Sequence, residues 1–239
     1  MKSFNTSVTK SSYILVFLIY FTICLVKTYS ASPIILSSTI KSFKHLYTKL
    51  RSKETSPEEF REYSRRIIRI IIEEGISCME PEICEVQTPI GAIYSGEKIN
   101  LSKTVVVSII RAGDSMLQVF NEIVPNAVMG KILIQRDEET AKPHFYYSKL
   151  PNLKNCKVAL VDPMLGTGGS AICAINALIE KGADPKDIYF FNVLACPEGI
   201  QALQVAFPGN IYKDALQIKS YPLIFLGIFF RCENYNWMC

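Results

Sequence analysis

The sequence predicts an α/β fold with a mostly parallel sheet flanked by helices. Two observations carry this. From Lys103 onward, unbroken apolar runs ("TVVVSII", "GKILIQ", "KVALVD", "DIYFFNVLA") alternate with segments of helical character. Strands covered on both faces read as continuous apolar runs, and helical crossovers are what parallel pairing needs. The second is composition: 49% apolar and 20% charged over 239 residues, enough for one domain with a sizeable core.

Taken in order, the chain begins with "YILVFLIYFTICLV" at 13–26, apolar except for Thr22. Lys2 and Lys10 precede it, and Ser30, Ala31 and Ser32 follow. Residues 1–32 therefore have a signal-peptide plan of basic, apolar and small-residue regions. Fourteen residues are short for a membrane span. The Ser/Lys-rich, acid-free stretch behind it also resembles a plastid transit segment. A secretory signal, a signal anchor, plastid targeting and a misassigned start all stay open. Membrane contact is expected through this segment alone.

"SFKHLYTKLRS" is expected to be a short helix docked beside the next. "TSPEEFREYSRRIIRIIIEEG" reads as a longer helix. Ser56 and Glu59 form a capping box, Pro57 suits the first turn, and Gly75 suits the exit. Phe60, Tyr63, Ile67 and Ile71 lie at helical spacing and are expected to face the core. Further on, helices are expected over 114–124, over 169–181 with a stop at Gly182, and from Pro197. "RDEETAKPHFYYSKL" (136–150) is expected to be a hairpin-like excursion beside the sheet. Within it, the Asp137, Glu138 and Glu139 run reads as a solvated face. Tyr146 and Tyr147 are expected to pack on the sheet rather than stack on a base.

Charge and cysteines exclude several functions. The first 53 residues hold eight Lys or Arg and no acid, so the remainder carries 18 basic and 22 acidic residues. That gives no basic surface for nucleic acid. Eight cysteines include no Cys-x-x-Cys pair, and there are two histidines, His45 and His144. Zinc spacing is absent, and most cysteines read as small buried hydrophobes.

In sheets of this kind ligands gather at the carboxyl ends of the strands. There the sequence places Arg111, Arg136, and Asp162 followed by "PMLGTGGSA". Gly166, Gly168 and Gly169 let backbone N–H groups converge on an anion. Thr167 and Ser170 add hydroxyls, and the next helix points its positive end at the same spot. A Walker A loop would need Gly-Lys-Ser/Thr, and no Lys is present. Gly166-x-Gly168-x-x-Ala171 matches a dinucleotide fingerprint weakly, since the next strand ends without an acid. A plain strand-to-helix turn is the bland alternative, with Asp162 as a cap and both arginines as surface ion-pair partners. The third functional reading uses Asp162 for sugar hydroxyls, the turn for a 5′-phosphate and the two arginines for a diphosphate.

"VDPMLGTGGSA" resembles the 5-phosphoribosyl 1-diphosphate (PRPP) signature of phosphoribosyltransferases, and the Pro after the Asp is typical of the uracil enzymes. "VSIIRAGDSM", "GKILIQRDEETAKPHFYYSKLP", "TSPEEFREYSRRIIRIIIEEG" and "ACPEGIQALQVAFP" resemble the eukaryotic-type uracil phosphoribosyltransferases. The resemblance covers about 43–216, leaving 217–239 as a divergent apolar tail. It implies a type I phosphoribosyltransferase-like fold that makes UMP and diphosphate from uracil and PRPP. It implies that Asp162 holds ribose hydroxyls, and that Arg111 and Arg136 serve the diphosphate. Pro163, Met164, Leu165, Gly166, Thr167, Gly168, Gly169 and Ser170 complete the PRPP site. Arg136 and Asp162 are the candidate catalytic residues, and Mg²⁺ is expected to arrive with PRPP rather than at a protein metal site. A homo-oligomer, and GTP as an effector, follow from the same resemblance. The family's Tyr-x-x-Pro-Gly-x-Gly-Asp-x-Gly-Asp segment, which reads uracil, has no counterpart in "IYKDALQIKSYPLIFLGIFFRCENYNWMC". That tail shows no strand or helix period, so uracil-binding residues are unassigned. An active transferase, impaired or not, and a PRPP-binding protein without transfer activity both stay open.

Overall fold

The computed structural model describes residues 34–35, 42–137, 140, 143–207 and 223–229. The expected targeting segment and the stretch where a uracil-reading loop would begin lie outside them.

An eight-stranded sheet organises the chain. Its strands are β1 (Ile34–Ile35), β4 (Thr104–Ile110), β5 (Val128–Arg136), β6 (Pro143–Lys149), β7 (Lys157–Val161), β8 (Met164–Leu165), β9 (Ile188–Ala195) and β10 (Leu223–Phe229). The order across it is β1-β10-β9-β7-β4-β5-β6, with β8 also on β9. All pairs are parallel except β5 with β6, whose register sets Arg136 opposite Pro143. Within the expected 136–150 excursion, Pro143–Lys149 is a return strand that adds an antiparallel edge. The two remaining strands, β2 (Pro81–Gln87) and β3 (Ile93–Ile99), form a separate hairpin.

The helices are α1 (Ser42–Arg51), α2 (Pro57–Ser77), α3 (Asp114–Ile123), α4 (Gly169–Glu180) and α5 (Pro197–Ala206). No described helix is long and apolar enough to cross a membrane. Strand alternation divides the core. Val106, Ala159, Val161, Tyr189 and Phe191 face α1, α2 and α3. Val105, Val107, Val158, Leu160, Ile188 and Phe190 face the α4 and α5 side. With both faces covered, neither set of alternate residues needs to be polar.

The capping box at α2 is formed. Ser56 Oγ accepts from the Glu59 N–H at 3.2 Å, and the Glu59 carboxylate accepts from the Ser56 N–H at 3.1 Å. Ile67 and Ile71 are fully buried as expected, but Phe60 is 50% exposed. It lies in the first turn of α2, and the buried residues of that helix begin at Ile67. Gly75 does not end the helix either. It is buried, and α2 runs to Ser77 with Cys78 as its C-cap. Tyr146 and Tyr147 are 60% and 48% exposed, because β6 is an edge strand. The apolar tail also differs from its expectation. Its 223–229 segment is a strand paired to β9 on one side and to β1 on the other. An unbroken apolar run carries no period by which sequence alone could tell a strand from a helix.

Candidate active site

β4 lies between β5 and β7, so the carboxyl ends of these three strands converge. They open onto a cleft of about 270 Å³, lined by Arg111 and Ala112 from the end of β4, Arg136 from β5, and Asp162, Met164, Gly166 and Ser170 from beyond β7. Ile109, Ile110 and Ile134 supply its apolar wall. The volume sits at the lower end of sites for small molecules, roughly 300–1,000 Å³. Two cations and one carboxyl on an apolar floor suit a compact anion bearing hydroxyl groups.

The glycine turn is built from close contacts. Pro163 and Leu165 follow β9: the Val193 and Leu194 N–H groups donate to the Pro163 carbonyl at 3.0 and 2.9 Å, and the Cys196 N–H donates to the Leu165 carbonyl at 2.8 Å. Leu165 is therefore in the core, contributing backbone and packing rather than a cleft-facing side chain. Gly168 caps α4 in the left-handed region (φ 85°) and makes no side-chain cap hydrogen bond. Asp162 is thus not the cap of this helix. The first-turn N–H groups have no intrahelical acceptor, which makes this end of α4 suited to an anion. Gly166 and Ser170 reach the cleft, while Pro163, Leu165, Thr167, Gly168 and Gly169 are not among its lining residues.

Asp162 is mostly buried, and burial pushes its carboxyl up to about 7. The Met164 backbone N–H and the charge of Arg136 pull it the other way without prevailing. Neither Arg111 nor Arg136 forms an ion pair among the described residues. Of the residues expected at the site, the structure brings Arg111, Arg136, Asp162, Met164, Gly166 and Ser170 to one cleft.

Other contributors went unread. Gly199 on α5 is buried, and a Cβ there would stand 2.2 Å from the Gly166 carbonyl oxygen and 2.8 Å from Leu165 Cγ. A Cβ at Gly113 would stand 2.5 Å from the Val161 carbonyl oxygen. Their signal was weak, since a glycine in the first turn of a helix, or in a loop, looks ordinary in sequence. Asp114 bonds Ser108 and Lys131 just behind the cleft. Burial pushes its carboxyl up, but those bonds and the Lys131 charge outweigh it and leave the group below its ordinary range.

Comparison with known proteins agrees with this geometry. The family model described as uracil phosphoribosyltransferase matches residues 38–215. The chain belongs to the uracil phosphoribosyltransferase family. It is 42% identical over 209 residues to the uracil phosphoribosyltransferase of Dictyostelium discoideum, covering 84% of this chain and 95% of that one. Against the Saccharomyces cerevisiae enzyme it is 44% identical over 164 residues, covering 68% of this chain and 76% of the yeast one. Among solved structures, the AQ2163 protein from Aquifex aeolicus is 29% identical with a TM-score of 0.64, covering 83% of this chain and 85% of that one. In this chain the cleft is built on the carboxyl ends of the mostly parallel sheet and on the "VDPMLGTGGSA" turn.

Proposed function

We propose that the chain transfers a phosphoribosyl group from PRPP to N1 of uracil, giving UMP and diphosphate. The observation that carries this is the cleft itself: Arg111, Arg136 and Asp162 face one space beside the uncapped start of α4. The relatives named uracil phosphoribosyltransferase supply the acceptor base and favour the transferase over a protein that merely binds PRPP.

In this reading the backbone from Gly166 to Ser170, with the Thr167 and Ser170 hydroxyls, holds the 5′-phosphate. Asp162 accepts from ribose hydroxyls, and Arg111 and Arg136 hold the diphosphate. The C1′–O bond to diphosphate breaks as the C1′–N1 bond forms, and the N1 proton leaves with solvent. Positive charge grows on the ribose and negative charge on the leaving group, so catalysis rests on alignment and fixed charge rather than on a covalent nucleophile. Arg136 leads into the 137–142 connection, so it suits a group that closes over bound substrate and excludes water. No group of three His, Cys, Asp or Glu among the described residues could hold a metal ion. Mg²⁺ enters this reading as part of the PRPP substrate, as the family resemblance implies. Self-association is included in the proposal, supported by the exposed Ile83, Ile90 and Tyr94 of the β2–β3 hairpin. An effector role for GTP rests on the family resemblance.

The test is UMP formation from labelled uracil and PRPP by the purified chain with Mg²⁺; no product from folded protein that binds PRPP would remove the transferase reading. Arg111→Ala is expected to weaken PRPP binding by roughly 10- to 100-fold, the loss of charge-assisted bonds worth about 1.5–3 kcal/mol. Isothermal calorimetry checks it, and unchanged affinity would take Arg111 out of the site. We also assign residues 1–32 to targeting. A reporter fused to residues 1–42 is expected to leave the cytosol of the native cell, and a diffuse cytosolic signal would refute this.

A further inference from the structure

We propose that Asp114 is a positioning residue that sets the Arg111 turn against the diphosphate half of PRPP, an inference that rests on the reading of Arg111 above. β4 ends at Ile110 and α3 starts at Asp114, so three residues span the gap. The turn is tight at its base: the Gly113 N–H donates to the Ile109 carbonyl at 2.9 Å, and Gly113 has no room for a Cβ beside β7.

Asp114 ties the far end of that turn to two strands. Its Oδ1 accepts from the hydroxyl of Ser108, fully buried within β4, at 2.5 Å. Its Oδ2 accepts from Lys131 Nζ on β5 at 2.7 Å. Arg136 lies further along that same strand. One carboxylate thus links the turn bearing Arg111 to the strand bearing Arg136, so the spacing of the two guanidinium groups depends on it. The Lys131 and Asp114 side chains are about 40% exposed, 42% and 40%, and an ion pair that open contributes little to stability. Its consequence is geometric. Without the carboxylate, Ser108 keeps a buried hydroxyl with no acceptor there, and the turn is free to shift.

The experiment is calorimetry with Mg²⁺–PRPP and, separately, with ribose 5-phosphate, which lacks the diphosphate. Asp114→Ala is expected to weaken PRPP binding about tenfold and to leave ribose 5-phosphate affinity unchanged, since small misplacements of a binding group carry losses of this order. Added to Arg111→Ala, it should produce no further loss of PRPP affinity, because the two act through one group. Lys131→Met, at a half-exposed position that folding tolerates, should weaken PRPP about threefold and carries the test if Asp114→Ala does not fold. Equal losses for both ligands, additivity with Arg111→Ala, or unchanged PRPP affinity in both the Asp114 and Lys131 variants would overturn the proposal. If Arg111→Ala alone leaves PRPP affinity intact, the Arg111 reading fails and takes this inference with it; that outcome is visible before Asp114 is varied.

Discussion

Gly199→Ala is expected to weaken PRPP binding by about a hundredfold, although in most helices the same change is stabilising by roughly 1 kcal/mol. The reason is contact. The added methyl would meet the Gly166 carbonyl oxygen at 2.2 Å and Leu165 Cγ at 2.8 Å. The first of these is backbone of the glycine turn and cannot rotate away. Either the turn or α5 must move by about an ångström, and a shift of that size in a positioned anion site is worth about 10²-fold. Leu165 is tied to Cys196 by a 2.8 Å backbone hydrogen bond, so strain in the turn passes directly into the strand end. Gly182→Ala is the control. Gly182 has φ 92° but nothing within 4 Å, so it should lose stability without losing PRPP affinity. Calorimetry on both variants decides the matter; Gly199→Ala binding PRPP as tightly as the parent would show that the turn and α5 are not coupled as the contact implies.

Gly199 also illustrates where the sequence was legible and where it was not. Features that act locally could be read: the Ser56–Glu59 capping box, the Gly168 turn at the start of α4, and the apolar runs that became β4, β7 and β9. So could side chains fixed to strand ends, because a parallel sheet collects those ends in one place. What escaped depends on partners distant in the chain. Gly199 matters because Gly166 lies against it, and Asp114 because Lys131 comes from the next strand. The β2–β3 hairpin escaped for another reason. Ile83 and Ile93 on one face and Val86 and Tyr94 on the other are all exposed, so no alternation marks it. The 223–229 strand escaped because an unbroken apolar run has no period to detect, and its pairing with β9 and β1 comes from distant parts of the chain.

Asp162→Asn is expected to stabilise the fold at pH 8 while impairing PRPP binding. In the native chain burial pushes this carboxyl up to about 7, whereas an unfolded Asp titrates near ~3.9. Between those values the folded state holds a proton that the unfolded state has released. Stability therefore falls as pH rises through that window, and the loss is complete above pH ~7. Three units at about 1.4 kcal/mol each put the full effect at roughly 4 kcal/mol. Asn carries no charge, so its variant escapes this loss. The two proteins should melt together near pH 4 and separate progressively toward pH 8, where a difference of roughly 3–4 kcal/mol raises the midpoint by about 6–15 °C for a chain of this size. Every other titrating group is common to both, so the difference curve isolates Asp162. PRPP affinity should move the opposite way, falling by roughly 10- to 100-fold as charge-assisted bonds from ribose hydroxyls are lost. Such opposition is what a functional charge in a desolvated place produces: the fold would be more stable without it, and the ligand would bind less well. Scanning calorimetry across pH 4 to 8 checks the first half and PRPP titration the second. Parallel melting curves would show that Asp162 is ionised at no cost in the empty site, and full PRPP affinity in the Asn variant would show that the ribose does not meet this carboxylate.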